Sequence, residues 1–552
     1  MGYHVRHITY RYAPDLPDVL KDVDFEIEPG KVTAVVGPSG CGKSTLVEIL
    51  SGVIPALVSK GVLRGAFDAP DGTLTSVVSQ TPENQLFGYG VEDAIAFGLE
   101  NMGVASDEIA SRVEYVLDLL NLQHLRLRSV ANLSGGQRQS VCIASVLAMN
   151  PDVLVMDEPV SSLDPGGKRM VQDILRQLAK NGNTVLLVDN NLVWSADIVD
   201  HVVGLRDGVK VFDGTRDDFF RDRCAAHDLG VVVPQEVEVY HALAEKLPGL
   251  PLFHDLAGAQ SALAARLPRA SADAAPPPAP AAASAPAVVT AHQLTKVFDD
   301  GFRALSDVNA SVPEGRILAI LGQNGSGKTT FVKHLNGLLK PTSGDVRYRG
   351  ESTLGRSVAQ ISRNVILVFQ HPEHMLFADT VEEEITFCAR MHGTEFPLDR
   401  LTDVLRRYGL DADRETFPLN LSMGKKHMLT ILSVLFSRAD VIVLDEPTLG
   451  MDALLVAQLE ELMAALKASG KTVVVISHEI PLVFRVADAA IVLSRGEKVF
   501  EGSKEELARR DDLFARIRID LPPVVRLSRA LGLPRVAFTV ADFAAAFLKE
   551  AR

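Results

Sequence analysis

Two glycine-rich segments of this 552-residue sequence end in a lysine and a hydroxyl residue, GPSGCGKS at residues 37–44 and GQNGSGKT at residues 322–329. Each segment follows an apolar run typical of a strand and precedes a helical pattern, which is the context in which such a loop binds phosphate. Glycines let the backbone turn tightly so that amide N–H groups face the β- and γ-phosphates, and the lysine adds positive charge. A chance tight turn explains one such loop but not two. The predicted nucleotide-binding residues are Gly37, Pro38, Ser39, Gly40, Cys41, Gly42, Lys43, Ser44 and Thr45 in the first loop and Gly322, Gln323, Asn324, Gly325, Ser326, Gly327, Lys328, Thr329 and Thr330 in the second.

Each loop also has a candidate set of Mg²⁺ ligands. Ser44 and Thr329 place a hydroxyl where the cation must be held. Asp157 and Asp445 each end an apolar, strand-like run and supply an acidic partner. The sequence therefore predicts ATP and Mg²⁺ as the ligands of both loops.

The two loops belong to an internal repeat. The segment KVTAVVGPSGCGKSTL from Lys31 recurs as RILAILGQNGSGKTTF from Arg316, and DVLVMDEP from Asp152 recurs as DVIVLDEP from Asp440. All such pairs are offset by between 285 and 290 residues, so the chain contains two copies of one domain. Their short Val- and Leu-rich runs alternate with helical periods, which predicts an α/β fold with a mainly parallel sheet in each copy and a helical subdomain.

Between the copies, residues 270–289 contain ten Ala and five Pro. This composition cannot bury a core and favours an extended linker. Each copy is followed by a short extension with helical amphipathic spacing, PQEVEVYHALAEKL from Pro234 and LPPVVRLSRALGL from Leu521. The predicted domains are residues 1–228 and 290–520, with extensions at 229–269 and 521–552.

Composition excludes several classes of protein. The chain is 47% hydrophobic and 23% charged, as in ordinary globular proteins. No apolar run approaches the roughly 18 residues of a spanning helix, and the first residues lack the apolar run of a signal peptide, so we expect a cytosolic chain. The four cysteines show no metal-binding or disulfide spacing. A net charge of −14 opposes a globally basic nucleic-acid binder, so we expect no nucleic-acid partner.

The segment LSGGQ at residues 133–137 stands between the first phosphate loop and Asp157. With this segment the chain resembles the ABC ATPase family over nearly its whole length. In that family two domains close head to tail, and each ATP is held by the phosphate loop of one domain and the signature segment of the other. The resemblance therefore implies that the two copies pair within the chain, with ATP contacts from Ser134, Gly135, Gly136, Gln137, Ser422 and Gly424.

Other residues match the family's remaining motifs. Tyr12 and Phe298 match the aromatic residues that stack on adenine, with a packed core aromatic as the alternative. Gln80 and Gln370 match the glutamine that contacts Mg²⁺ or the attacking water. The remaining implied residues are Glu158 and Glu446, which polarise the water, Asp164 and Asp452 of the family's D-loop, and the switch histidine His478.

The copies differ in two of these motifs, the switch histidine and the signature. Where the second copy has His478, the aligned residue of the first copy is Asn190. The second signature reads LSMGK, so Met423 replaces a glycine where a backbone amide must approach the γ-phosphate, and Lys425 replaces the glutamine. In a head-to-tail pair both changes fall in the site built on the first phosphate loop. We therefore hypothesise one hydrolytic site and one degenerate site that mainly holds ATP; random drift over both sites is the alternative.

The segments PENQLF from Pro82 and PEHMLF from Pro372, together with the LPPVVRL element, narrow the resemblance. They look like ATPase subunits of energy-coupling factor (ECF) importers, which take up vitamins or transition-metal ions. This resemblance implies a peripheral protein on the cytoplasmic face of the membrane, with a transmembrane coupling protein and a substrate-binding membrane protein as partners. The candidate contacts to the coupling protein are Leu86, Phe87, Met375, Leu376 and Phe377, unless they pack inside their own domains.

Two other functions share the ATP chemistry. A conventional ABC importer is opposed only by the PENQLF-like segments and the extensions. A soluble tandem ABC protein acting on ribosomes is expected to carry a long, charged, helical linker, whereas this linker is rich in Ala and Pro. DNA-repair relatives are expected to carry zinc-type cysteine spacing or long coiled coils, and neither pattern is present.

Overall fold

The computed structural model describes residues 2–58, 60–79, 85–133, 135–161, 163, 165–267, 286–299, 301–391 and 398–551. Gln80, Ser134, Asp164 and linker residues 270–285 lie outside these ranges. The chain divides into two compact units, Met1–Gly258 and Ala259–Arg552. None of the helices within the described ranges is long and apolar enough to cross a bilayer.

The first unit alternates strands and helices along the sequence. Its strands are β1 (Tyr3–Arg11), β2 (Leu20–Ile27), β3 (Val32–Val36), β4 (Val62–Asp68), β5 (Thr75–Val78), β6 (Val153–Asp157), β7 (Thr184–Val188), β8 (His201–Arg206) and β9 (Val209–Thr215). Its helices are α1 (Lys43–Leu50), α2 (Val53–Ala56), α3 (Val91–Asn101), α4 (Ser106–Leu119), α5 (Gly135–Ala148), α6 (Pro165–Lys180), α7 (Arg216–Arg221), α8 (Arg223–Asp228) and α9 (Gln235–Ala244), and α10 (Leu256–Ala264) spans the boundary between the units.

The second unit repeats this order. Its strands are β10 (Ala287–Val297), β11 (Arg303–Pro313), β12 (Ile317–Leu321), β13 (Ser343–Tyr348), β14 (Glu351–Ser352), β15 (Val365–Val368), β16 (Val441–Asp445), β17 (Thr472–Ile476), β18 (Ala489–Ser494) and β19 (Glu497–Ser503). Its helices are α11 (Lys328–Leu335), α12 (Val358–Ile361), α13 (Val381–Met391), α14 (Leu398–Arg407), α15 (Met423–Leu435), α16 (Ala453–Ala468), α17 (Ile480–Val486), α18 (Lys504–Leu507), α19 (Asp511–Ile517), α20 (Pro523–Ala530) and α21 (Val540–Glu550).

Each unit is built around a six-stranded, mainly parallel sheet. The strand order is β5-β6-β7-β3-β8-β9 in the first unit and β15-β16-β17-β12-β18-β19 in the second, and only the last strand of each is antiparallel to its neighbour. The central strands are buried throughout, because their β-branched and leucine side chains point to both faces of the sheet and pack into a core on each side. Alternate residues of β3 therefore enter two different cores, with Ala34 in one and Val35 in the other.

A smaller antiparallel sheet and a helical subdomain complete each unit. The smaller sheets have the orders β2-β1-β4 and β11-β10-β13-β14. In the helical subdomain of the first unit α3 packs on α4 and α5, and in the second unit α13 packs on α15. The predicted α/β class with a mainly parallel sheet in each copy is confirmed.

The extensions contain the helices that their amphipathic spacing predicted. The segment from Pro234 forms α9 and the segment from Leu521 forms α20, so these helix predictions are confirmed. Strand β10 begins at Ala287, so residues 287–289 of the segment assigned to the linker belong to a sheet. The domain bounds themselves stay a prediction.

Candidate functional site

The phosphate loops lie at the carboxyl ends of the central strands β3 and β12 and lead directly into α1 and α11. Glycine is required at the first position of each loop. Gly37 and Gly322 have φ of 153° and 147°, and a Cβ added to them would lie 2.1 Å from Leu205 O and 2.2 Å from Leu493 O. The loop therefore packs against the carboxyl end of the neighbouring strand, and its backbone amides lead into a helix N-terminus suited to phosphate.

The loop lysines are held at the centre of their loops. Lys43 Nζ donates to the carbonyl oxygens of Gly37 and Pro38, and Lys328 Nζ donates to those of Gly322 and Gln323 at 2.8 and 3.0 Å. Both side chains are buried. A buried ammonium beside a helix N-terminus makes each loop strongly attractive to a polyphosphate.

Cys41 lies inside the first loop but has the properties of a packing residue. Its Sγ is buried and lies 3.9 Å from Lys43 Nζ. Burial raises the pKa of the Cys41 thiol. The reactive thiolate is therefore disfavoured, and the geometry gives no support to redox chemistry at this position.

The residues predicted to hold Mg²⁺ lie together in both units. The Ser44 hydroxyl lies beside Asp157 and the Thr329 hydroxyl beside Asp445, and each hydroxyl acts to lower the pKa of its carboxyl neighbour. Burial raises the pKa of Asp157 to about 6 and also raises the pKa of Asp445. Asp445 Oδ1 is buried and has no hydrogen-bond partner among the described residues. A hydroxyl, a carboxylate and an unpaired buried oxygen fit a hard, oxygen-liganded cation such as Mg²⁺.

Glu158 and Glu446 follow the acidic strand ends in an unusual backbone conformation. Their φ values are 43° and 50°, in the left-handed region that costs a non-glycine residue of the order of 1–3 kcal/mol. Each is fixed there because its amide donates to a neighbouring strand end, Val188 O at 2.8 Å and Ile476 O at 3.0 Å. Burial raises the pKa of each glutamate to about 7. Strain and a perturbed carboxyl pKa at equivalent positions are typical of a catalytic site.

His478 contacts the catalytic candidate of its own unit. Its Nε2 lies 3.0 Å from Asn324 Oδ1 and 3.0 Å from Glu446 Oε1, where the second contact lacks hydrogen-bond geometry. Its backbone amide donates to Glu446 Oε2 at 3.1 Å. The second phosphate loop, the glutamate and the histidine are thus brought together. Asn324 was predicted as part of the loop, and its contact with His478 was not foreseen.

The corresponding segment of the first unit is arranged differently. Asn190 Oδ1 accepts a hydrogen bond from Gly37 N at 3.0 Å, so this side chain is held against the start of its own loop. The preceding Asp189 is buried and accepts bonds from Trp194 Nε1 at 2.9 Å and from Asn191 N at 2.8 Å. The replacement of histidine by asparagine is therefore accompanied by a separate local network that the sequence did not reveal.

The predicted adenine-stacking aromatics are accessible. Tyr12 is 39% exposed and Phe298 is 37% exposed, so neither is a packed core residue. The Tyr12 hydroxyl bonds to Thr45 Oγ1 at 3.0 Å, which places this ring beside the end of the first phosphate loop. Lys296 Nζ lies 5.4 Å from the centre of the Phe298 ring.

The two signature segments begin helices α5 and α15. Gly135 is the first residue of α5, and Gly136 is closely packed because an added Cβ would lie 2.8 Å from Gly167 Cα. In the second unit Met423 is 36% exposed at the first position of α15, with the buried Gly424 after it. The methionine side chain therefore occupies space at the helix start where the first signature has a glycine.

The candidate docking residues fall into three groups. Phe87 and Phe377 are 53% and 60% exposed. Leu86 and Met375 are half-buried and pack against the cores of their own units. Leu376 is 7% exposed and belongs to the core of the second unit, so its prediction as a docking contact is wrong. Gln370 is exposed at the start of the same segment.

Both copies match one family of known proteins. The family model described as ABC transporter matches residues 20–161 and 305–449. A protein of Methanosarcina mazei named as an ABC transporter ATP-binding protein is 31% identical over 97% of this chain and 94% of its own length. The chain therefore belongs to the ABC transporter family, and it is an ATPase whose domains bind ATP.

Two further matches differ in what they support. A Bacillus subtilis protein named as an HMP/thiamine import ATP-binding protein is 32% identical over 94% of both chains. A solved archaeal ribosome recycling factor, in complex with a ribosomal stalk protein, aligns with a TM-score of 0.59 over 93% of this chain and 92% of its own, at 21% identity. The second likeness shows the shared tandem fold alone.

Proposed function

We propose that this chain is the ATP-hydrolysing subunit of an ECF-type importer for vitamins or transition-metal ions. It works at the cytoplasmic face of the membrane with a transmembrane coupling protein and a substrate-binding membrane protein. Support comes from the PENQLF and PEHMLF segments, the exposed Phe87 and Phe377 within them, and the relative named for HMP/thiamine import. The domains are residues 1–228 and 290–520, joined by the Ala- and Pro-rich linker from residue 270, which ends where β10 begins at Ala287.

The two copies pair head to tail around two ATP molecules. The hydrolytic site combines the second phosphate loop, Gln370, Asp445, Glu446 and His478 with the first signature, residues 134–137. The degenerate site combines the first loop, Gln80, Asp157 and Glu158 with the second signature, including Ser422 and Gly424. ATP in the degenerate site stabilises the closed pair, and ATP hydrolysis in the hydrolytic site lets the pair open again.

Each side chain of the hydrolytic site has a distinct task. Mg²⁺, held by Thr329 and Asp445, would neutralise phosphate charge. Lys328 binds the phosphates, and Glu446 as a carboxylate accepts the proton of the attacking water. His478, 3.0 Å from both Asn324 and Glu446, fixes the glutamate beside the loop.

The contrast between His478 and Asn190 is the observation that carries the asymmetric model. The histidine lies against Glu446, whereas the asparagine is bonded to Gly37 N in its own loop. Asparagine has no imidazole, and the Oδ1 atom of Asn190 is already bonded to the phosphate loop. The altered second signature falls in the same composite site.

Paired substitutions test this assignment in the purified full-length chain. Glu446→Gln lowers steady-state ATP turnover by about 10²-fold or more, because general-base catalysis contributes about 10²–10⁴-fold. Glu158→Gln, the matched change in the other copy, lowers turnover by less than about threefold and leaves binding of a fluorescent ATP analogue unchanged. Equal losses in the two variants would refute the asymmetric model.

Co-purification tests the transport assignment. The tagged chain, extracted from membranes with mild detergent, should retain small hydrophobic membrane proteins. Recovery of ribosomes instead would favour the ribosome-acting alternative, and recovery of a two-subunit permease with no separate substrate-binding membrane protein would favour a conventional ABC importer.

A further inference from the structure

Gln85, two residues before the exposed docking candidate Phe87, is fixed by three hydrogen bonds. Its Nε2 donates to Val77 O at 2.8 Å, and its Oε1 accepts from Ser79 N at 2.8 Å. The same Oε1 accepts a third bond from Cys142 Sγ at 3.1 Å. One side chain therefore joins three parts of the first unit: strand β5, the residue after it, and helix α5.

The Cys142 contact connects this segment to the first signature. Helix α5 begins at Gly135, within the LSGGQ segment, and Cys142 lies two turns further along it. Helices of this length move as rigid elements because their backbone hydrogen bonds run from turn to turn. The carboxamide of Gln85 thus connects the segment of Leu86 and Phe87 to the helix that begins with the signature glycines.

The second copy has different residues at both ends of this connection. Met375 stands at the position of Gln85, and its Sδ accepts from Phe369 N at 3.3 Å. Thr430 stands at the position of Cys142, and its hydroxyl donates to His427 O within its own helix. Phe369 aligns with Ser79, so Met375 reproduces one of the three contacts of Gln85 through a weak acceptor. A thioether has no donor, so Met375 cannot donate to the strand as Gln85 does.

We propose that Gln85 is a positioning residue that couples the membrane-facing segment of the first copy to helix α5 and so controls closure of the hydrolytic ATP site. This inference rests on the proposed function, in which the first signature completes the site of Glu446. The coupling is one-sided, since the second signature serves the degenerate site. A displacement of the segment that contains Phe87 therefore affects the hydrolytic ATP site.

The test exchanges the residues between the copies in the purified full-length chain. Gln85→Met lowers kcat for ATP by about 5- to 50-fold with KM unchanged within twofold, because small displacements of a catalytic contact cost up to about 10²-fold. The matched change Met375→Gln leaves both constants unchanged. Cys142→Ala lowers kcat in the same direction, and Cys142→Ser, which keeps a donor, restores it.

The outcomes separate this inference from the proposed function. A wild-type chain without ATPase activity would refute the proposed function. An active wild type with unchanged kcat in Gln85→Met would overturn the inference alone, as would equal losses in Gln85→Met and Met375→Gln. If Gln85→Met does not fold, the cysteine pair decides, and a wild-type kcat in Cys142→Ala overturns the proposal.

Discussion

Ionisation of the Glu446 carboxyl group destabilises the folded chain, and this effect can be measured without nucleotide. Burial raises its pKa from the ordinary value of 4.5 to about 7. The folded chain therefore holds this proton more tightly than the unfolded chain. The contribution of this group to the free energy of unfolding is fully present at pH values below the unfolded pKa. It falls as pH rises toward 7 and is lost above the folded pKa.

The size of the effect follows from the pKa difference. At about 1.4 kcal/mol per pKa unit the ionised carboxylate costs up to about 3 kcal/mol at pH 8, and less than about 1 kcal/mol at pH 5. Relaxation around the charge reduces these values, so we expect Glu446→Gln to stabilise the nucleotide-free second unit by about 1–3 kcal/mol at pH 8. For a unit of this size that is about 2–6 °C in Tm.

Differential scanning calorimetry of the full-length chain in EDTA measures this effect. The Tm of the transition affected by Glu446→Gln should rise at pH 8 and change little at pH 5. Glu497→Gln is the matched control, because Glu497 is exposed on β19 of the same unit. An equal Tm rise at both pH values, or a fall at pH 8, would show that ionisation of Glu446 is not the cause.

Two further predictions concern turnover and docking. In the proposed mechanism Glu446 accepts a proton as a carboxylate, and burial raises its pKa to about 7, so kcat for ATP should increase between pH 6 and pH 8. A flat profile of initial rates would contradict this role. Phe87→Ser and Phe377→Ser should lower the yield of co-purified membrane proteins while basal ATPase activity is retained. Tyr115→Ser, which changes an exposed aromatic on α4, should leave that yield unchanged. A lower yield in Tyr115→Ser alone would show that the docking surface lies elsewhere.

The fold and the phosphate loops could be predicted from the sequence because their requirements are local. Gly37 and Gly322 leave no room for a side chain, and apolar strands end in Asp157 and Asp445. The repeat then duplicates each observation. The burial of Leu376 could not be predicted in this way, because an apolar residue type in this segment is compatible both with exposure to solvent and with packing in the core.

The differences between the copies were visible in the sequence as residue types, but their consequences depend on contacts. Asn190 in place of histidine predicts a missing imidazole and nothing more. The structure adds that Asn190 is bonded to Gly37 N, with Asp189 held by the indole of Trp194. Gly37 and Asn190 lie 153 residues apart, so no local spacing rule predicts their contact. The segment is moreover tied to the extension, since Val232 N donates to Asn190 O at 2.8 Å. Restoring the histidine alone therefore leaves Asp189 and the extension holding the segment in place, and we do not expect Asn190→His by itself to rebuild the arrangement around Glu446.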